Sequence, residues 1–249
     1  MIPIKTEEEI RIMAEGGKIL AGIIKEIIEK SKPGVTTRYL DKAAEDLIFK
    51  YGGKPAFKNF NSTGFPGTIC ASINEELVHC APSDRELKEG DIFSIDIGMK
   101  YKGYHSDMAV TIPIGEVSPE ALRLIRACKK ALKRGIKKIR PGLTFGDIGN
   151  TIQRYVDDQG YGTVKELCGH GIGKELHEEP QINNYGKRKS GPKITEGMVF
   201  CIEPMITIGD WNLKKTKDGY GFQTKDGSLS AHFEHTIAVT SKGIKILTQ

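Results

Sequence analysis

Four acidic residues stand in two pairs of similar sequence contexts, and together they predict a metal site. Asp96 follows the run GDIFSI, and Glu203 follows the similar run GMVFCI. Asp107 stands two residues after a histidine, and Glu234 is placed in the same way. Four carboxylates carry four negative charges, which two divalent cations would neutralise. If these acids were only solvated residues on strand faces, the duplication of their contexts would have no explanation.

The first pair of acids lies in a stretch that predicts two adjacent strands. Apolar residues alternate with polar or small ones over residues 93–98, which is the period of a strand with one buried face. A second strand-like run covers residues 105–112. Pairing of the two runs around a two-residue loop at residues 101–102 would place Asp96 directly opposite Asp107, with Cβ atoms roughly 4.5–5.5 Å apart. Opposed carboxylates repel each other, so a cation is expected between them.

Three of the six histidines lie in glycine-rich or turn-rich segments that lead to the acidic strands, namely His79, His170 and His177. His170 is the centre of GHGIG, whose glycines predict a tightly bent backbone that presents the imidazole. An oxygen-rich site with one imidazole suits Mn²⁺, Fe²⁺ or Co²⁺, with Zn²⁺ also compatible and Mg²⁺ less suitable. Taken singly, each of these histidines could instead be a surface or core residue. Supporting or structural roles are assigned to His105, His232 and His235.

The order of predicted elements is the same in the two halves of the chain. Thr6 and Glu9 form a capping box before a helix that ends near residues 32–34, and a second helix follows. Pro119 opens the corresponding long helix of the second half, and RPGLT matches the KPGVT between the first two helices. A loop is predicted over residues 61–66, before the strands that carry the acids of the first half.

This internal repetition predicts an α+β fold of two pseudo-symmetric halves, with the strands packed together and the helices outside. The halves cover about residues 1–113 and 114–249. Because no Ser- or Pro-rich linker separates them, we expect a single catalytic domain over residues 1–249. The acids at equivalent positions would then converge near the pseudo-axis.

The composition is that of an ordinary globular protein. Hydrophobic residues make up 38% and charged residues 28% of the 249 residues, and the formal net charge is +5. The five cysteines form no C-x-x-C pair, which argues against a disulfide framework and against a structural zinc cluster. No apolar run reaches the length of a signal-peptide core or the ~18 residues of a membrane span. We therefore expect a cytoplasmic protein without membrane contact.

Five residues and two motifs carry a resemblance to a known family, namely Asp96, Asp107, His170, Glu203 and Glu234, with GHGIG and HEEP. The set closely resembles that of the methionine aminopeptidases, in their short bacterial type I form, and all five metal-ligand positions match in type and order. The resemblance covers essentially the whole chain. It implies the pita-bread (creatinase/aminopeptidase) fold, which agrees with the internal repeat. It also implies two divalent metal ions at these five residues, whether Co²⁺, Mn²⁺, Fe²⁺ or Zn²⁺.

The same resemblance implies a role for each metal ligand. Asp107 and Glu234 would bridge the two metals. Asp96 would complete one metal, and His170 with Glu203 would complete the other. Glu203 would also carry the proton of a metal-bridging hydroxide, a role that suits a carboxylate held against both water and metal.

Substrate contacts are implied in the same way. His79 would hydrogen-bond the scissile amide nitrogen, and His177 would stabilise the substrate carbonyl and its developing oxyanion. The resemblance places these residues around the methionine side chain, alongside His79: Phe65, Cys70, Leu176 and Tyr220. Asn59, Leu176 and Tyr220 depart from the family's commonest residues, which affects the pocket and not the metal chemistry.

The expected activity is removal of the initiator methionine from nascent polypeptides with a small second residue. The alternatives are an X-Pro-specific peptidase of the same fold and a non-catalytic peptide- or RNA-binding protein on this scaffold. X-Pro peptidases usually carry an additional N-terminal domain, and a binding protein would be expected to lack metal ligands. Basic clusters within residues 129–140, 187–189 and 214–217 fit contact with the ribosome surface or, alternatively, solvated helix and loop faces. A monomer is expected.

Overall fold

The computed structural model describes residues 1–60 and 64–249, so the loop predicted over residues 61–66 lies partly outside the described residues. The helices are α1 (Glu7–Lys30), α2 (Thr37–Lys50), α3 (Pro119–Lys138) and α4 (Phe145–Asp158). The strands of the first half are β1 (Lys54–Pro55), β2 (Ile69–Ile73), β3 (Glu76–Val78), β4 (Ile92–Tyr101) and β5 (Tyr104–Pro113). The second half has β6 (Gly162–Thr163), β7 (Gly169–Gly171), β8 (Glu178–Ile182), β9 (Val199–Ile202), β10 (Met205–Thr207), β11 (Leu213–Lys215), β12 (Phe222–Thr224), β13 (Ser230–His232), β14 (Glu234–Thr240) and β15 (Gly243–Ile246).

The predicted helix starts are confirmed. Local side-chain chemistry determines where these helices begin. Thr6 accepts from the backbone N–H of Glu9, whose carboxylate accepts from the backbone N–H of Thr6. The same reciprocal capping box joins Thr144 to Asp147 at the start of α4. Such a cap satisfies two backbone donors that the first turn of a helix leaves without partners.

One large sheet runs through both halves in the order β1-β4-β5-β14-β9-β7-β8, with β2 also paired to β4 and β15 to β14. The halves meet where β14 pairs with β5, through Glu234 opposite Ala109 and His235 opposite Met108. Two small sheets, β13-β10-β6 and β11-β12-β3, lie off this path. The joint between β5 and β14 therefore brings the acids of the first half next to those of the second.

The register of the β4–β5 hairpin differs from the expected one. Its two-residue loop is formed by Lys102 and Gly103, which both have positive φ (47° and 89°), as a type I′ turn requires. Asp96 consequently lies opposite Ala109, and Gly98 is the partner of Asp107. The prediction of directly opposed carboxylates is wrong, because it placed the turn one residue too early. The two acids are diagonal neighbours on the same face.

The alternation of the strands separates the helix-packed face from the acidic face. Ile95 and Ile97 of β4 enter the apolar core formed with α1 and α2. Ile237 of β14 enters the second core, formed with α3 and α4. Because successive strand residues point to opposite faces, Asp96 and Glu234 project away from these cores. Both acids are thus buried on the face that lies opposite the two helix pairs.

The two Pro-Gly turns make matching backbone hydrogen bonds. The N–H of Gly34 donates to the carbonyl of Leu87 at 2.8 Å, and the N–H of Gly142 donates to the carbonyl of Ile194 at 3.0 Å. Both glycines have positive φ, 83° and 87°. These matching contacts support the pseudo-symmetry, and the assignment of one domain with two pseudo-repeats stays a prediction.

Two expectations from the sequence concern the cysteines and membrane-spanning helices. The five cysteines, all at described positions, are free thiols, and four of them are buried. Among the described residues, no helix combines the length and the apolar character needed to cross a membrane.

Candidate metal centre and adjoining cavity

The four predicted acids converge at the joint between the two halves. Asp96 and Asp107 come from the middle of β4 and β5, Glu234 begins β14, and Glu203 follows directly after β9. One carboxylate oxygen each from Asp96, Asp107 and Glu234 lies within 4.8 Å of the others. The side chains are buried, so solvent contributes little to the neutralisation of their charge. A cluster of this kind requires a cation or bound protons.

The chain breaks direction where the acids of the second half lie. Pro204 separates β9 from β10, and Phe233 separates β13 from β14. The backbone therefore leaves the large sheet for a small one at two adjacent places, where the N–H of Phe233 donates to the carbonyl of Pro204. Both acids are held at this junction. Glu203 follows the last residue of β9, and Glu234 is the first residue of β14.

His170 joins the acids from the neighbouring strand β7. Its Nε2 lies 3.6 Å from Glu203 Oε1 and 4.0 Å from both Asp107 Oδ2 and Glu234 Oε1. Its Nδ1 donates to the carbonyl of Gly171 at 2.9 Å, which leaves the lone pair of Nε2 directed at the carboxylates. This is the tautomer and orientation of a metal-binding imidazole.

The glycines beside His170 serve a purpose other than the expected one. Gly169 and Gly171 lie in a short strand whose pairing with β8 shifts register between His170 and Gly171, so the predicted bend takes the form of a strand irregularity and not of a loop. A Cβ added to Gly169 would lie 2.4 Å from the carbonyl oxygen of Cys201, and one added to Gly171 would lie 2.1 Å from that of Glu179. These positions lack a side chain because the backbone of the neighbouring strands approaches closely.

Burial controls the ionisation of the cluster. It raises the pKa of Asp96 to about 6. The pKa values of Asp107, Glu203 and Glu234 are raised well above the ordinary carboxyl range, first by burial and then by the neighbouring carboxylates. Burial also lowers the pKa of His170 to about 3, so its ring is neutral at pH 7 and available as a ligand. A divalent cation would supply the positive charge that the acids lack.

The hydrogen-bonding pattern fits a bound metal. Within the described part of the chain, Asp96 Oδ1, Asp107 Oδ1 and Glu234 Oε1 are buried and have no hydrogen-bond partner. Buried polar atoms without partners are costly, about 1–3 kcal/mol each and more when charged. Hard oxygen donors with an imidazole are suitable ligands for Mn²⁺, Fe²⁺, Co²⁺ or Zn²⁺. The residues present therefore fit the predicted divalent metal.

A cavity of about 470 Å³ opens over the acids. Each predicted site residue of the sequence contributes to its wall or floor: Phe65, Cys70, His79, Asp96, Asp107, His170, Leu176, His177, Glu203, Tyr220 and Glu234. Phe65 and Tyr220 make an edge-to-face ring contact at 5.7 Å, and the Tyr220 hydroxyl donates to the carbonyl of Gly64. The cavity thus has an apolar wall on one side and the acidic cluster at its floor.

The two predicted substrate histidines lie on this cavity as neutral rings. Burial lowers the pKa of His79 to about 4 and also lowers the pKa of His177. The ring of His177 packs against that of His170 at 4.4 Å. His79 has a φ of 58°, a left-handed conformation that is uncommon for a non-glycine residue. Neither the ring contact of His177 nor the backbone conformation of His79 could be read from the sequence.

Nine of the described residues that line the cavity are not among the predicted site residues, and they include Phe57, Phe60 and His232. Phe57 and Phe60 line the apolar wall, and Phe60 meets the ring of His177 edge-on at 5.0 Å. His232, assigned a supporting or structural role, lies on the cavity floor with Nε2 3.6 Å from Glu203 Oε2. Its sequence signal is the spacing of two from Glu234, because alternate residues of an extended chain share a face.

Comparison with known proteins identifies the family. Residues 11–241 match the model of metallopeptidase family M24. The chain belongs to this family. Methionine aminopeptidase 1 of Bacillus subtilis (strain 168) is 45% identical over 249 residues, with full coverage of both chains. The crystal structure of methionine aminopeptidase from Rickettsia prowazekii superposes with a TM-score of 0.97 at 40% identity, again with both chains fully covered.

A more distant relative shares the fold over nearly the whole of this chain. Prolidase from Pyrococcus furiosus has a TM-score of 0.80 at 28% identity. The comparison covers 99% of this chain and 65% of that one. The family assignment confirms the predicted pita-bread α+β fold, and it confirms a divalent metal as the cofactor class.

Proposed function

We propose that this protein is a metal-dependent aminopeptidase that removes the initiator methionine from nascent polypeptides with a small second residue. The observation that carries the proposal is the buried cluster of four carboxylates and His170 on the floor of an apolar cavity. Relatives that share 40–46% identity over the full chain bear the name methionine aminopeptidase. An oxygen-rich metal centre suits hydrolysis, and the adjoining apolar wall suits an uncharged side chain.

The proposed site holds two divalent ions. Asp107 and Glu234, which come from different halves, would contact both ions. Asp96 would complete one ion, and His170 with Glu203 would complete the other. When bound, the metal pair would lower the pKa of a shared water towards ~7 and so supply the nucleophile at neutral pH.

Glu203 is the proposed proton carrier of the reaction. Its Oε1 lies 3.6 Å from Nε2 of His170, and the residue lines the cavity. A buried carboxyl group with a raised pKa holds a proton more readily near neutral pH, which is what transfer from water to a leaving amine requires. The proton would be held on Glu203 and delivered to the amide nitrogen.

His79 and His177 are proposed to orient the substrate. Both rings are neutral at pH 7, so each has one N–H donor and one acceptor nitrogen. His177 would donate to the substrate carbonyl oxygen, where negative charge develops during attack. His79 would contact the scissile amide nitrogen. The contact of His177 with Phe60 and His170 restricts its ring.

The apolar wall is the proposed site of the methionine side chain. Phe65, Cys70, Leu176 and Tyr220 would surround the thioether, with His79 beside them. Burial of apolar surface contributes about 25 cal/mol per Å². A thioether sulfur near an aromatic ring adds about 0.3–1.5 kcal/mol. Burial raises the pKa of the Cys70 thiol well above its ordinary value, so this wall stays uncharged.

The cellular setting is also a proposal. The free thiols fit a reducing cytoplasm. Lys129, Lys133 and Lys137 form an exposed row on α3, and such a row could contact RNA at the ribosome surface while the protein acts as a monomer. Sedimentation with ribosomes at low salt should weaken when the three lysines are replaced by glutamate. Unchanged sedimentation would contradict contact through this row.

Peptide hydrolysis tests the proposed activity. The protein is stripped of metal, Mn²⁺ or Co²⁺ is restored, and Met-Ala-Ser is compared with Ala-Pro-Ala. We expect metal-dependent release of free methionine from the first peptide and no cleavage of the second. Cleavage of Ala-Pro-Ala alone would assign an X-Pro peptidase, and cleavage of neither with metal bound would favour a binding protein.

A further inference from the structure

His232 is a second imidazole in the acidic cluster. It is buried, and its Nε2 lies 3.6 Å from Oε2 of Glu203. The other oxygen of Glu203, Oε1, lies at the same distance from Nε2 of His170. Glu203 is therefore placed between two imidazoles, one on each side of its carboxylate. One donor atom each from Glu203, His232 and Glu234 falls within 4.8 Å of the other two.

The ring of His232 lacks the partners that a buried imidazole needs. Within the described residues, neither of its nitrogens has a hydrogen-bond partner. A hydrogen bond to Glu203 would require a separation of about 2.7–3.2 Å, which is shorter than the observed 3.6 Å. Two ligands that each lie about 2.0–2.2 Å from one ion can be up to about 4.4 Å apart. The distance therefore fits a shared metal better than a direct contact.

The backbone of His232 is held firmly in place. Its N–H donates to the hydroxyl of Thr111 at 2.8 Å, and that hydroxyl donates to its carbonyl at 2.9 Å. His232 also pairs with Met205 between β13 and β10. The position of the ring is thus set by strand pairing and by Thr111, so a change of its side chain leaves the main-chain geometry intact.

We infer that His232 is a further metal ligand, on the Oε2 side of Glu203. The inference rests on the proposed metal site and adds one nitrogen donor to its five ligands. A second imidazole would favour Co²⁺ and Zn²⁺ over Mn²⁺, because imidazole suits the later first-row metals and carboxylate the earlier ones. In His232→Gln the affinity for Co²⁺ should fall by about 10-fold or more relative to that for Mn²⁺.

The direct test is proton NMR of the Co²⁺-loaded protein. Imidazole N–H protons of Co²⁺ ligands give strongly shifted, solvent-exchangeable signals. We expect two such signals in the wild type, one in His232→Gln, and two in the control His235→Gln. His235 is a suitable control because it is the residue next to Glu234 in β14, and its ring nitrogen contacts the hydroxyl of Thr248 at 3.0 Å.

The outcomes separate this inference from the proposed activity. A single shifted signal in the wild type that persists in His232→Gln would overturn the ligand assignment, while methionine release from Met-Ala-Ser would leave the activity standing. Two signals without methionine release would support the assignment and contradict the activity. The absence of any shifted signal at saturating Co²⁺ would overturn ligation by His232 and by His170, and hydrolysis of Met-Ala-Ser would still decide the activity separately.

Discussion

The two halves of this chain deliver the same kinds of residue by different means. In the first half, Asp96 and Asp107 lie on one continuous hairpin that is closed by a two-residue turn. In the second half, Glu203 and Glu234 lie where two strands leave the large sheet, and 30 residues separate them in sequence (residues 204–233). That separation contains β10 to β13, and the connection between β11 and β12 reaches the cavity through Tyr220. The first half would supply two ligands from one hairpin together with His79, and the second would combine its two acids with His170 and His177.

The difference indicates how a duplicated unit acquires distinct chemical roles. Both halves keep their acids on the face opposite the helix-packed cores, where burial raises the carboxyl pKa values. Among the residues that the structure describes, only those of the second half place an imidazole within 4 Å of that half's carboxylates, as His170 and His232 do with Glu203. The metal would thus be shared by both halves, whereas proton transfer would belong to the second.

The largest effect is expected from Asp107 and Glu234, the two acids that come together at the joint from different halves. Asp107→Asn and Glu234→Gln should each remove one bridging charge. Loss of a residue that hydrogen-bonds a metal ligand weakens metal binding or activity about 10–100-fold, and these variants should reduce metal binding and methionine release by more than that. Metal content after dialysis and peptide hydrolysis measure this. Asp84→Asn, a change at an exposed ion pair of the first half, is the control. Loss in only one of the two variants would contradict equal sharing.

The equivalent acids Asp96 and Glu203 should behave differently. Glu203→Gln should lower kcat by about 10²–10⁴-fold even at saturating metal, because a proton carrier is lost. Asp96→Asn should chiefly weaken metal binding, so added Mn²⁺ should restore much of its activity. Activity measured against metal concentration separates the two. Equal rescue of both variants would remove the distinction between the halves.

Stability should depend on metal and pH together. A buried carboxyl group whose folded pKa is raised costs stability above its unfolded pKa of about 4, and the cost grows as pH rises through the folded pKa. For Asp96 that pKa is about 6. The gain in Tm on adding Mn²⁺ should therefore be greater at pH 7.5 than at pH 5, by roughly 3–6 °C for the about 1.4 kcal/mol that ionisation of Asp96 contributes between these two pH values. Thermal unfolding at the two pH values measures it, with Asp107→Asn as the control. A gain independent of pH would contradict the account.

The smallest effect concerns the matching turns. Gly34 and Gly142 have nearly equal positive φ, and a Cβ at either would meet no atom within 4 Å. Gly34→Ala and Gly142→Ala should therefore each cost about 1–2 kcal/mol, since only backbone strain is involved. Urea unfolding of both variants tests the pseudo-symmetry. A difference of more than about 1 kcal/mol would show that the turns are not equivalent.

The sequence was sufficient where local chemistry decides the structure. The capping box at Thr6 and the duplicated acids need no long-range information. The hairpin register was missed although Lys102-Gly103 carries the Gly signal of a primed turn. Phe57 could not be assigned to the cavity, because its place there depends on packing between elements distant in sequence. His232 was undervalued, since its closeness to Glu203 depends on the break between β13 and β14.

The central claim is that both halves jointly hold divalent metal between their acids. The most direct measurement is anomalous diffraction from crystals of the protein loaded with Mn²⁺ or Co²⁺. We expect anomalous peaks within about 2.0–2.3 Å of carboxylate oxygens from both Asp107 and Glu234. Peaks confined to the acids of one half, or none in this cluster while methionine is released, would contradict it.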